Sequence, residues 1–295
     1  MTTSNNHFPV LLKQVLAVLQ PKAGETYLDL TAGYGGHASN ILERTLHKPH
    51  TTLVDRDQNA IDYLEQKFNG KPVEIIHTDF LTAARELLSQ ERQYDLILAD
   101  LGVSSPHLDN AQRGFSLRAN GPLDMRMDNR QSLTAEEIVN SYSLDELATI
   151  IHTYGEEPRA KKIARLIVEH RPLITTVQLA EVVAQAWPGH SKVHPATRTF
   201  QALRIAVNDE LEILRKSLPL WIDLLAPGGR IAVISFHSLE DRIVKQAFME
   251  AAGDRYDAVL QLLNKQPVTA DASELVFNPR SRSAKLRAAV KQKQH

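Results

Sequence analysis

The sequence predicts an α/β protein in which a mostly parallel sheet carries helices on both faces and is interrupted by a helical insertion. Three observations predict it. Four short apolar runs between residues 26 and 100 each have an aspartate at or within three residues of their end and alternate with amphipathic segments, the pattern of parallel strands joined by crossover helices. A glycine cluster, Gly33-Tyr34-Gly35-Gly36-His37-Ala38, follows the first run and opens a helix. After Asp100 the alternation stops for about a hundred residues and then resumes.

The elements follow in order. Val10, Leu11, Val15, Leu16 and Leu19 have helical spacing over residues 9 to 19, stopped before Pro21. Thr26 to Leu30 is the first strand, and Ala38 to Leu46 the helix after the glycines. Thr51 to Val54 is the second strand, closing on Asp55, with Ala60, Ile61, Leu64 and Phe68 on the helix behind it. Val73 to Ile76 is the third, followed by Asp79-Phe80 and a helix through Leu87 and Leu88; Leu96 to Ala99 is the fourth, ending at Asp100. Inside the interruption, Thr134 with Glu137, Ser143 with Glu146 and Thr175 with Gln178 have capping-box spacing and predict short helices. One longer helix is expected from Pro195, with Phe200, Leu203, Val207, Leu211, Leu214 and Leu218 in a single stripe. Ala226-Pro227-Gly228-Gly229 then reads as a tight turn, Ile231 to Phe236 as a strand and Leu239 to Ala251 as a helix; Val259 to Leu263 and Ala284 to Val290 form a closing hairpin. The expected division is a core made of 1–105 and 213–295, with a basic tail, around an inserted helical substrate-recognition domain at 106–212.

Composition narrows the function. With 43% hydrophobic and 23% charged residues the chain has the makings of a sizeable core, which excludes wholesale disorder. A net charge of -1 gives no global field for nucleic acid or membrane, so any polyanion must be met by a local patch. The absence of cysteine removes disulfides, thiolate metal sites and thiol nucleophiles together. No clustered ligand motif suggests a metal, and none is expected. Neither a secretory signal nor an apolar run of roughly 20 residues is present, so a cytoplasmic protein without membrane contact is expected.

The glycine cluster matches G-x-G-x-x-A in the strand-to-helix context where that motif meets a nucleotide, although a plain tight turn would also use these glycines. Asp55, ending the next strand, stands at the separation from which a carboxylate reaches a ribose diol. Asp29, Asp55, Asp79 and Asp100 fall at four successive strand ends, and any single one of them has helix capping as its ordinary role. Together they would repel a pyrophosphate. They suit a ligand with cationic centres, a ribose and an adenine, and S-adenosylmethionine has all of these; a nicotinamide dinucleotide is the rival.

Longer motifs point further. Asp29-x-Thr31-x-Gly33-x-Gly35-Gly36-His37, D-L-G-V-S-S-P from Asp100, R-G-F-S from Arg113, G-P-L-D-M-R-M-D from Gly121, H-P-A-T-R-T-F-Q-A-L-R from His194, I-S-F-H-S-L-E-D-R from Ile234 and N-P-R-S-R-S-A-K-L-R from Asn278 resemble the bacterial small-subunit ribosomal RNA methyltransferase H family, from about His7 to Arg287. The resemblance implies a class I S-adenosylmethionine-dependent methyltransferase fold, Rossmann-like, with an inserted helical domain. It also implies N4-methylation of a decoding-centre cytosine of 16S ribosomal RNA on assembled small subunits. Its cofactor contacts fall on Gly35, Gly36, His37, Asp55, Phe80 and Asp100, with Gly33 in the same loop. A further contact, commonly Gln, falls on His107, whose ring nitrogen has a different reach.

For the chemistry, a chain without cysteine lacks the usual nucleophile for C5 methylation of a pyrimidine, so transfer is expected directly to a heteroatom. Asp100 is the first candidate to accept a hydrogen bond from a cytosine amine, with Ser104 and Ser105 as helpers and His237 as a stacking or proton-relay group. RNA contacts are expected at Arg113, Arg118, Arg126 and Arg130, at Arg198 and Arg204, and at Arg280, Arg282, Lys285, Arg287, Lys291 and Lys293. An internal pair with Asp124 or Asp128 is the alternative for Arg126. A non-catalytic ribosome assembly factor is a second rival reading, and a homodimer is compatible with the sequence.

Overall fold

The computed structural model describes residues 8–46, 50–104, 108–187, 189, 194–253 and 258–293. They form two compact units, one from the chain up to Gly102 together with Leu211 onward, the other from Val103–Glu210.

The first unit is built on one sheet. Its strands are β1 (Tyr27–Asp29), β2 (Thr51–Asp55), β3 (Val73–His77), β4 (Tyr94–Asp100), β5 (Leu225–Ser235), β6 (Leu260–Leu262) and β7 (Lys285–Lys291), in the order β3-β2-β1-β4-β5-β7-β6. The first five are all parallel to one another, and β7 is antiparallel to both β5 and β6. Helices α1 (Leu12–Leu19), α2 (Gly36–Thr45), α3 (Gln58–Lys67) and α4 (Phe80–Ser89) lie between the first four strands or ahead of them, and α11 (Ser238–Ala251) follows β5. Alternate strand residues serve opposite faces. Leu28, Ile97 and Ala99 join Ala84 and Leu87 of α4 and Val244 and Phe248 of α11 in one core. Tyr27, Leu96 and Leu98 join Val15, Leu19, Ile41, Leu42 and Leu64 in the other. Burying both faces explains why these strands read as continuous apolar runs. The order reverses between β1 and β4, leaving a crevice at the carboxyl ends of the strands where ligands of such sheets sit.

Two local expectations are corrected. Ala226-Pro227-Gly228-Gly229 does not precede the strand as a turn but lies within β5, as an irregularity against β4: Tyr94 pairs with Leu225, whereas Leu96 pairs with Arg230. The single long helix after Pro195 is two helices, α9 (Thr197–Asn208) and α10 (Glu210–Asp223). Asp209 between them is left-handed, at φ 49. The break is held by side chains. Asn208 donates from Nδ2 to the carbonyls of Met125 and Arg204 and accepts the amide of Met127, while Arg204 makes paired bonds to Glu210. The apolar stripe is continuous in sequence because it serves two cores: Phe200, Leu203 and Val207 the insertion, Leu214 and Leu218 the sheet.

The second unit is helical, with α5 (Ala135–Ser141), α6 (Leu144–Gly155), α7 (Ala160–Glu169) and α8 (Thr176–Ala184) packed with α9 around Ile138, Leu147, Ile151, Ile163 and Leu203. Its helix starts are legible in the sequence. Ser143 with Glu146 and Thr175 with Gln178 form complete capping boxes, and Thr134 accepts the amide of Glu137. Each such cap contributes about 1 kcal/mol.

Candidate functional site

The strand ends of the first unit carry the expected aspartates, but each spends its carboxylate differently. Asp55 accepts the amide of Gly33 at 2.7 Å and that of Asp57 at 2.9 Å. Asp79 caps α4: Oδ1 accepts the amides of Leu81 and Thr82, and Oδ2 the Thr82 hydroxyl. This corrects its reading as a member of a ligand-facing ring. Asp29 is buried, receives the Tyr27 hydroxyl at 2.7 Å and the Thr31 amide at 3.2 Å, and points away from solvent. Burial pushes its carboxyl up to about 6, against the bond from Tyr27. Burial likewise raises the Tyr27 phenol well above its ordinary value, reinforced by the Asp29 charge.

Asp100 is different. Its amide donates to the Thr31 hydroxyl at 2.6 Å, which ties the end of β4 to the end of β1. Its Oδ2 stands 3.6 Å from His37 Nε2, and its buried Oδ1 has no hydrogen-bond partner among the described residues. The His37 ring is buried at the start of α2, and among the described residues neither of its nitrogens is hydrogen-bonded. Leaving such groups unsatisfied costs about 1–3 kcal/mol each, a cost that a polar ligand in this corner would remove.

The glycine loop between β1 and α2 gives that ligand backbone access. Gly33 and Gly35 have φ of +53 and +67, a region that disfavours side chains. At Gly35 a Cβ would also meet Phe68 at 2.8 Å, whereas at Gly33 its nearest neighbour would be the Thr31 carbonyl at 3.9 Å. Gly36 is packed for another reason: a Cβ there would meet Pro9 at 2.8 Å. Phe80 opens α4 and sets its ring edge-on to Trp221 at 5.3 Å, partly buried beside the crevice. The unspent Asp100 oxygen, the bare His37 nitrogens and the open face of Gly33 fit a ligand that offers hydrogen-bond donors and positive charge.

His237 stands between β5 and the helix that follows it. It is the N-cap of α11: Nδ1 accepts the Glu240 amide at 3.3 Å, and Nε2 lies 3.2 Å from Glu240 Oε1. Glu240 closes the box by accepting the amides of Phe236 and His237. Ser104 belongs to the second unit. Ser105 and His107 lie outside the described residues.

The basic residues divide as sharply. Arg113 is buried and donates to the carbonyls of Arg126 and Met127; Arg126 makes paired bonds to Asp124 and reaches the Gln131 carbonyl; Arg204 is held by Glu210; Lys285 and Arg287 share Asp241. Arg130 pairs with Asp128. Lys291 donates to the carbonyls of Ile222, Asp223 and Leu225. These side chains are engaged within the protein, which the expectation of phosphate contacts did not foresee. Arg118, Arg198, Arg280 and Arg282 are exposed. Thr31 was missed by the sequence reading, although its place in D-x-T between a strand and a glycine loop marks it as a side chain within reach of the neighbouring strand end.

A model of the MraW methylase family matches residues 4–292. A protein of Cyanothece sp. named ribosomal RNA small subunit methyltransferase H is 51% identical over 286 residues, covering 96% of this chain and 94% of its own. Proteins of the same name are 47% identical in Nostoc sp., covering 97% of this chain and 93% of the relative, and 45% identical in Heliobacterium mobile, covering 97% and 99%.

Proposed function

The chain belongs to the MraW methylase family, and on that premise we propose that it methylates N4 of a cytosine in the decoding centre of 16S ribosomal RNA, acting in the cytoplasm on assembled small subunits. Membership removes both rivals, the nicotinamide-dependent oxidoreductase and the non-catalytic assembly factor. The observation that carries the reading is the near-full-length identity to relatives named for small-subunit ribosomal RNA. The motifs around Asp100 and the absence of cysteine support the N4 position.

The cofactor is S-adenosylmethionine, which when bound supplies a methyl group on a cationic sulfur. Asp55 would hold the ribose diol, Phe80 would pack beside the adenine, and the loop of Gly33, Gly35 and Gly36 with His37 would admit the ligand close to backbone. His107, which follows the D-L-G-V-S-S-P segment in sequence, would add a polar contact. The amine of cytosine is a weak nucleophile because its lone pair is delocalised into the ring. The Asp100 carboxylate would accept one N4–H, favour pyramidal nitrogen, and take up the proton that N4 loses on methylation before passing it to water. Ser104 and Ser105, which follow Asp100 closely in sequence, would help orient the base, and His237 positions the turn after β5 through its cap. Arg118, Arg198, Arg280 and Arg282 contact the RNA.

The test is methyl transfer to free 16S RNA, 30S particles and 70S ribosomes, followed by nucleoside analysis. Transfer to 30S particles with N4-methylcytidine as product is expected; 5-methylcytidine or a 2′-O-methyl product overturns the reading. In single turnover with cofactor and subunits saturating, Asp100→Asn should slow transfer by roughly 10²-fold or more. A rate near that of the unaltered enzyme removes the Asp100 charge from the mechanism.

A further inference from the structure

Helix α7 of the insertion carries its charges against its own electrostatics. Its buried stripe, Ala160, Ile163, Ala164 and Ile167, packs into the insertion core. On the solvent side Lys161, Lys162 and Arg165 are exposed. Residues 158–168 contain these three cations and Arg159, and no acid. Lys161 and Arg165 stand one helical turn apart, a like-charge spacing that repels. No hydrogen bond or ion pair engages either side chain among the described residues.

The polarity of the helix makes the arrangement worse for stability. The amino end of a helix is its positive end, yet α7 has no acid in its first turn and places Lys161 and Lys162 there, with Glu169 at the other end. The neighbouring helices follow the favourable rule: α5 opens with Glu136 and Glu137, α6 with Asp145 and Glu146. Around the base of the face the side chains are anchored. Arg159 and Lys162 both donate to the Ala186 carbonyl, Arg159 lies 4.2 Å from the centre of the Trp187 ring, and Arg198 donates to the Glu156 carbonyl. Lys161 and Arg165 are thus held outward on a rigid helix, while the chain as a whole has a net charge of -1.

We propose that this face of α7, extended by Arg198, binds the phosphate backbone of the small subunit's ribosomal RNA, an inference that rests on the functional reading above. The occupant follows from charge complementarity: a polyanion meets two exposed cations that no ion pair among the described residues engages. The contacts hold the substrate in place without selecting sequence, because phosphate contacts carry no base information.

The test compares the unaltered enzyme with the pairs Lys161→Gln/Arg165→Gln and Lys161→Glu/Arg165→Glu. Binding to purified small subunits is measured across a salt series, alongside S-adenosylhomocysteine affinity, thermal midpoint and oligomeric state. The glutamine pair should bind subunits at least about tenfold more weakly at low salt, with the slope of log K against log salt reduced by roughly 0.7–0.9 for each phosphate no longer neutralised. The glutamate pair should bind more weakly still. Cofactor-product affinity should not move, and the thermal midpoint should hold or rise, since the replacements suit the helix. Unchanged subunit affinity and slope overturn the proposal, and so does a change in oligomeric state, which assigns the face to an interface between copies. An unaltered enzyme that binds subunits in this salt-dependent way but transfers no methyl group to them overturns the functional reading and leaves the surface standing. One that methylates while both variants bind equally well does the reverse.

Discussion

Asp55, the last residue of β2, accepts the amide of Gly33 at 2.7 Å, so the loop after β1 is held by the neighbouring strand. One carboxylate thereby shapes the glycine loop and, on the proposed reading, would also grip the ribose. Asp55→Ala should weaken S-adenosylhomocysteine binding by about 1.5–3 kcal/mol, or one to two decades, as expected for bonds to a charged group. Calorimetry gives the affinity directly, and an unchanged value overturns the ribose assignment. Asp55→Asn should recover little, because its NH₂ group faces one of two backbone donors.

Gly33 separates folding from ligand access. Its φ is +53, and an added methyl would have the Thr31 carbonyl, at 3.9 Å, as its nearest neighbour. Gly33→Ala should cost about 1–2 kcal/mol of stability from the left-handed backbone alone. Gly70→Ala is the control, with φ +74 and nothing within 4 Å. Both variants should unfold at similar denaturant concentrations, but only Gly33→Ala should lose at least about tenfold in cofactor-product affinity, the equivalent of 1.4 kcal/mol. Equal affinities would move the ligand away from Gly33.

The buried Asp29 predicts a pH signature. Its folded value, raised by burial from 3.8 to about 6, exceeds the ordinary carboxyl value, so the folded state holds the proton more tightly. The stabilising contribution is therefore complete below about pH 4 and is lost as pH rises through about 6, amounting to roughly 3 kcal/mol. Asp29→Asn removes this dependence. Denaturant titrations should show the variant gaining on the unaltered protein between about pH 4 and 7; a constant difference would show that Asp29 ionises normally.

His237 is expected to act through its cap. His237→Asn, which retains a capping side chain, should hold stability within about 0.5 kcal/mol and single-turnover transfer within about threefold, while His237→Ala should lose about 1 kcal/mol of stability. A fall of roughly 10²-fold in transfer for the asparagine variant, with stability intact, would place the ring in the chemistry.

The strand-and-helix alternation was legible because burial on both sheet faces leaves continuous apolar runs, and because helix starts in the insertion declare themselves through Ser143 and Thr175. Two parts were not. The stripe from Phe200 to Leu218 keeps its period across Asp209, so periodicity alone joins two helices that serve different cores. At the site, aspartates at strand ends were visible, but their use was not: Asp79 bonds locally while Asp55 bonds a residue 22 positions away, and only the folded chain tells them apart. The same holds for the arginines. Asp124 and Arg126 advertise their pairing by adjacency, whereas the Arg113 bonds to carbonyls 13 and 14 residues on carry no sequence mark.

The position of the insertion governs when the sheet can be completed. β4 pairs on one side with β1 and on the other with β5, whose Ile234 meets Asp100 only after the whole Val103–Glu210 unit has left the ribosome. During synthesis at about 5–20 residues per second, the nascent chain must carry β4 with an open edge for many seconds, the condition under which strands find wrong partners. If the insertion stayed unfolded, closing that gap would also carry the entropy of a long loop. Its helices are local structures that form quickly, so they turn a floppy tether into a compact link before β5 arrives.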